Sequence, residues 1–173
     1  MRAILGAALA AVLLGLVAGC ATTERFSAAG DVHALMVAIR DDDRPAFDAH
    51  VDRRALEAQI QDRIMQRAAR PGTSDAVKGL GVVLSGPLAR AAGGLLIQPE
   101  VFRAVADYYG YRPSMAIPGS FAIASMLRSL PDGRVCAVTK RKGACLVTFA
   151  NEDGTWRLVS FDGDAAMLGL GRR

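Results

Sequence analysis

The apolar period of this chain changes after Pro113, and that change sets the class of fold open to it. Before Pro113, apolar residues return every three or four positions, as on one face of a helix. After it, four short runs at 121–130, 134–139, 144–150 and 156–161 read as strands. They are cut by Pro131-Asp132-Gly133, by 140–143 and by Asp153-Gly154. Asp-Gly between strand-like runs marks a tight hairpin, because a two-residue turn of the right twist needs positive φ at both central positions. With that turn, Phe149 lies opposite Leu158, and Val147, Phe149, Trp156 and Leu158 share the core face. Helices first and an antiparallel four-stranded meander last make an α+β fold. Helices over a curved sheet also occur in nuclear-transport-factor-like folds, a parallel at the level of fold alone.

The helical half carries its own punctuation. Asp31 suits an N-cap for a helix over 32–40, with Leu35, Met36 and Ile39 on one face. Asp43 suits the cap of a short second helix whose first turn holds Pro45, where a missing N–H does no harm. Asp52 suits the cap of a third, with Val51 and Leu56 spaced as a hydrophobic staple. Leu56, Ile60, Ile64 and Ala68 then form an apolar stripe, Arg63, Arg67 and Arg70 fall elsewhere, and Pro71-Gly72 stops the helix. Residues 76–97 are apolar at helical spacing but glycine-rich, and read as one or two short pieces. A last helix starts near Pro99, carries Val101, Phe102, Val105 and Tyr109, and ends at Gly110.

The amino end has a different character. Arg2 precedes an apolar run that closes on Leu16-Val17-Ala18-Gly19-Cys20. A positive start, a run short for a bilayer and small residues before a cut describe an export signal. With cysteine next after Gly19, the segment resembles a bacterial lipoprotein signal. That resemblance implies cleavage before Cys20, acylation of its thiol with diacylglycerol and, on its new amino group, a fatty acid such as palmitate. Two or more chains anchor stably, since each buried CH₂ contributes about 0.8 kcal/mol. Ala21, where an inner-membrane lipoprotein of enteric bacteria tends to carry aspartate, favours the outer membrane. The expected organisation is therefore a signal peptide at 1–19, a lipidated tether at 20–30, one α+β domain at 31–162 and a tail at 163–173.

Removing 1–19 takes only Arg2 from the charge, so +4 becomes about +3. Such a mild basic bias is not a nucleic-acid signature. The two cysteines left, Cys136 and Cys145, would sit in an oxidising compartment that permits a disulfide. Two registers are open. A four-residue loop at 139–142 sets them directly opposite, near the separation a bond needs. A two-residue loop at Lys142-Gly143 faces Cys145 to Lys140 and parts the cysteines. The first is favoured, as a structural bridge.

Ala38-Ile39-Arg40, Asp43, Phe47, Val51-Asp52 and Leu56 resemble the opening of the bacterial domain of unknown function DUF2939. Trp156-Arg157-Leu158-Val159 is similar to the strand that closes such domains. The resemblance covers about residues 31–162 and implies no activity, so no catalytic residue is carried over.

No constellation names a reaction. Asp41, Asp42, Asp43, Asp48 and Asp52 crowd one stretch, but no glycine bend and no following glutamate match a calcium loop, and caps explain them. Gly79-Leu80-Gly81 lacks a preceding strand and a third glycine, and Ser85-Gly86 lacks a nucleophile elbow. His33 and His50 have no partner nucleophile in sequence. The arginines at 63, 67 and 70 suit a solvated face or anionic headgroups. Phe149, Trp156, Tyr108 and Tyr109 are the candidates for lining a ligand pocket. The expectation is a membrane-anchored exported lipoprotein facing the periplasm, without cofactor, metal or catalytic residue. Its role is a non-catalytic interaction or structural module of the envelope, partnered by the bilayer through Cys20 and by an envelope protein, not by nucleic acid. The alternatives are a binder of a small apolar ligand between helices and sheet, and a hydrolase with an unrecognised site.

Overall fold

The computed structural model describes residues 2–69, 94–108, 110–138 and 143–162, with side chains of 2–21, 67, 68 and 108 left aside. The helices are α1 (Arg2–Asp41), α2 (Arg44–Ala49), α3 (Arg53–Ala68), α4 (Pro99–Tyr108) and α5 (Ser120–Met126). The strands are β1 (Leu127–Ser129), β2 (Val135–Val138), β3 (Cys145–Glu152) and β4 (Thr155–Phe161), in sheet order β1-β2-β3-β4 with antiparallel neighbours. The chain is thus α+β, with helices followed by a four-stranded meander.

Helix ends follow the side chains that can satisfy orphaned backbone groups. α1 stops where Asp42 takes φ 59° and the Asp43 N–H reaches the Ala38 carbonyl at 2.9 Å. This is the six-to-one closure that usually calls on glycine. α4 ends the same way: Gly110 at φ 86° donates to the Asp107 carbonyl at 2.9 Å, and Tyr111 to Ala106 at 3.0 Å. Asp43 caps α2 by accepting the Ala46 N–H at 3.1 Å, with Pro45 in the first turn. Asp52 caps α3 by accepting the Ala55 N–H at 3.1 Å. Val51 and Leu56 are both buried in the core, as a staple requires.

Two expectations are corrected. Residues 22–30 are not a tether, and Asp31 caps nothing: α1 runs through them without a break, with Ala28 and Ala29 fully buried. Alanines at 28 and 29 extend the stripe of Val32 and Leu35 by one turn, and their small side chains let the helix lie close to the sheet. Residues 121–126, expected as the start of a strand, belong to α5, and only Leu127–Ser129 pairs with β2. Ile123, Ala124 and Leu127 fall three and four apart and are all buried, so one helical face packs before the chain straightens. The expected pieces at 76–97 lie almost wholly outside the described residues, although 94–96 are helical.

The Asp153-Gly154 turn has φ 52° and 87°, and it sets Phe149 opposite Leu158. Leu127, Val135, Phe149, Trp156 and Leu158 are buried from the sheet, with Ala137 and Val147 packed against them. Ala28, Ala29, Val32, Leu35 and Ala38 cover them from α1, joined by Phe47, Val51, Leu56, Ile97, Ile123 and Ala124. The Phe47 and Phe102 rings meet edge to face at 5.3 Å. The outer edge of β4 is partly covered as well. Leu158 donates to the His50 carbonyl at 2.9 Å and accepts from the Asp52 N–H at 3.0 Å, a short parallel bridge at Val51.

Cys136 and Cys145 are bonded, with Cα atoms 5.5 Å apart. The register is neither of the two considered. Cys136 faces Thr148, Cys145 faces Val138, and an irregularity between Ala137 and Val138 brings the cysteines together on the diagonal. Cys136 is buried on the face opposite Val135, and the Arg128 guanidinium lies 3.4 Å from the Cys145 sulfur.

Candidate functional site

Polar groups converge where α1, the His50–Asp52 bridge and β4 meet. Asp31 Oδ2 accepts the Trp156 backbone N–H at 2.8 Å, and the Trp156 indole donates to Ser27 Oγ at 3.1 Å. Ser27 and Asp31 stand one turn apart on α1, so one helical edge grips the start of β4 twice. Asp31 Oδ1 lies 3.7 Å from His50 Nδ1, too far for a hydrogen bond, and that nitrogen is buried without a partner among the described residues. His33 is elsewhere, with Nδ1 2.9 Å from the Pro118 carbonyl. The histidines are therefore not brought together, and Ser27 is engaged by the indole. This junction fastens a helix to a sheet. Its signal, Ser-x-x-x-Asp on a helix edge, is visible in sequence only once 22–30 are known to be helical.

The acidic stretch resolves into caps and ion pairs. Asp43 and Asp52 cap helices, Asp41 holds Arg40 at 2.6 Å, and Asp48 holds Arg53 at 2.5 Å. Arg53 also donates to the Ile97 carbonyl at 2.8 Å, tying α3 to the approach to α4. The Arg40 guanidinium keeps the Asp41 carboxyl below its ordinary range, and Arg134 does the same to Asp132. Glu100, in the first turn of α4, is lowered chiefly by its own backbone amide and then by Arg44. Among the described residues, no group of three or more His, Cys, Asp or Glu is arranged to hold a metal ion.

Two shallow depressions open on the surface of the described residues. One, of about 390 Å³, is lined by Val51, Asp52, Arg53, Arg54, Glu152 and Arg157. The other, of about 400 Å³, is lined by Arg54, Glu57, Ala58 and Gln61 on α3. Both are open and charged, shaped for contact with a polar surface more than for enclosing an apolar molecule. Phe149 and Trp156 line neither; each is 3% exposed within the core. The Tyr108 and Tyr109 side chains lie outside the described residues. Arg63 pairs with Asp162, joining α3 to the end of β4, while the side chains of Arg67 and Arg70 are outside the description.

Apolar side chains also break the surface. Phe26 on α1 and Phe121 on α5 are 47% and 78% exposed, and their ring centroids are 5.9 Å apart. Nothing in the sequence pairs residues so distant. Among the described residues, no helix is long and apolar enough to cross a membrane.

Together these elements define a small α+β domain in which a long amino-terminal helix is bolted across a meander sheet. The chain belongs to the family described as protein of unknown function (DUF2939), whose model matches residues 9–105. The match begins earlier than residue 31 and ends within α4, so it takes in most of α1 and leaves out the sheet. The likeness of Trp156-Arg157-Leu158-Val159 to a closing strand therefore falls outside it. No curated protein and no solved structure matches the chain.

Proposed function

We propose that this chain is an exported lipoprotein, anchored through acylated Cys20 and facing the periplasm, with a non-catalytic interaction or structural role in the envelope. The observation that carries the reading is Val17-Ala18-Gly19-Cys20 at the end of an apolar run, a small-residue cut with cysteine directly after it. The packing is consistent with such a role. Phe149 and Trp156 are spent on the core, the polar junction is spent on fastening α1, and the open depressions carry charge. An envelope partner would meet the rim formed by Arg54, Glu57, Glu152 and Arg157. Ala21 directs the anchored protein toward the outer membrane. The test is metabolic labelling with radioactive palmitate in a host that processes lipoproteins. The wild type takes up label and sediments with membranes, and Cys20→Ala does neither. Label entering the Cys20→Ala protein refutes the anchor.

A further inference from the structure

The anchor and the core belong to one helix, and this bears on how the domain meets the membrane. α1 is continuous from Arg2 to Asp41, so Cys20 stands on the helix whose Ala28 is already fully buried. Eight residues at 1.5 Å each place the first core contact about 12 Å along the axis from Cys20. A flexible tether would let the domain diffuse above the bilayer. A helix of this length holds it against the surface, since the headgroup layer is itself about 5–8 Å deep. The Phe26–Phe121 pair lies at this end of the molecule, with Phe26 six residues and about 9 Å from Cys20.

We propose that the Phe26–Phe121 pair is a membrane-contact site that enters the interfacial layer of the bilayer holding Cys20. An exposed aromatic pair marks a contact surface, and its continuity with the lipid-bearing helix assigns the bilayer as its occupant. Rings at headgroup depth bury apolar area while the rest of the domain stays in water. Two rings from separate helices, α1 and α5, fix the tilt of the domain as well as its height, because contact at two points resists rotation about the anchor. This inference rests on the lipoprotein reading of Cys20.

The test uses the mature acylated protein in vesicles of phosphatidylethanolamine and phosphatidylglycerol with part of the acyl chains brominated. Phe121→Trp places an indole at the proposed contact. The native chain, whose single tryptophan is 3% exposed, is the reference. Asp41→Trp, about 22 Å from Phe26 along α1, is the control. Bromine should quench about half of the emission added at position 121 and almost none of that added at position 41. Equal quenching at both positions overturns the assignment of the face. Acylated protein that floats with vesicles while position 121 stays unquenched leaves the anchor standing and overturns the contact. If a cross-linked dimer forms through position 121 in that case, the pair belongs to a second copy. A chain without an acyl group on Cys20 and without quenching overturns both readings. Quenching without acylation supports the contact and overturns the anchor alone.

Discussion

Gly30 separates a helix from a tether by the sign of two substitutions. It sits inside α1 without the positive φ that would call for glycine, and a Cβ added there meets nothing within 4 Å. Gly30→Ala should therefore stabilise the protein by about 0.5–1 kcal/mol, the helix-interior difference between the two residues. Gly30→Pro should do the opposite: it removes the N–H that bonds the Phe26 carbonyl and drives its ring into that group, costing about 3 kcal/mol. The Trp156–Ser27 and Trp156–Asp31 bonds lie on either side of the break, so the helix cannot kink there and keep both. For a chain of this size, about 2–4 °C per kcal/mol translates to a rise of a few degrees for alanine and a fall of about 6–12 °C for proline. Urea unfolding followed by the buried Trp156, with thermal melts in parallel, measures both. A tether would give near-zero change for alanine and tolerance of proline. That pair of results would refute the packing of α1 across residues 28–32.

The other expected outcomes are independent of this one. Asp52→Ala removes the cap of α3 and should cost about 0.5–2 kcal/mol in urea midpoint while leaving partner binding intact once folded. Asp31→Ala leaves the Trp156 backbone N–H unpaired beneath α1 and should cost about 1–3 kcal/mol; an unchanged melt would contradict the two-point grip. Reducing Cys136–Cys145 reopens a short loop and should cost about 2–3 kcal/mol by the loop-entropy account, and non-reducing mass spectrometry of exported protein should find neither thiol free. The carboxyl of Asp132, lowered by Arg134, contributes stability above its unfolded pKa and loses it as pH falls through the folded value. Asp132→Asn should therefore slightly flatten the acid limb of a melting-temperature profile, the effect being small at an exposed pair.

Much of the frame could be read from residues whose physics is local. Asp43 and Asp52 announce caps, Gly110 announces a stop, and Asp153-Gly154 fixes the pairing of Phe149 with Leu158 by parity alone. What escaped depends on partners far along the chain. Thr22 to Gly30 look like a linker because the core residues there are alanines, which carry little hydrophobic signal until a sheet is laid against them. Phe121 to Leu130 passes for a strand because the helix at its start, the seven residues of α5, is too short to separate a period of 2 from one of 3.6. The disulfide is suggested by two cysteines that share a face in a hairpin with an even-length loop, but its diagonal geometry needs an irregularity between Ala137 and Val138 that leaves no mark in composition. Parity also placed Phe149 and Trp156 on the inner face without distinguishing a lined pocket from a filled core. That distinction belongs to what α1 brings down on them.

The account as a whole turns on Cys20. Intact mass and amino-terminal peptide analysis of the protein extracted from membranes tests it most directly. The account predicts a chain that lacks residues 1–19 and begins at Cys20, carrying a thioether-linked diacylglycerol and an amide-linked fatty acid. A mature chain that retains residues 1–19, or that holds Cys20 as an unmodified thiol, would contradict it.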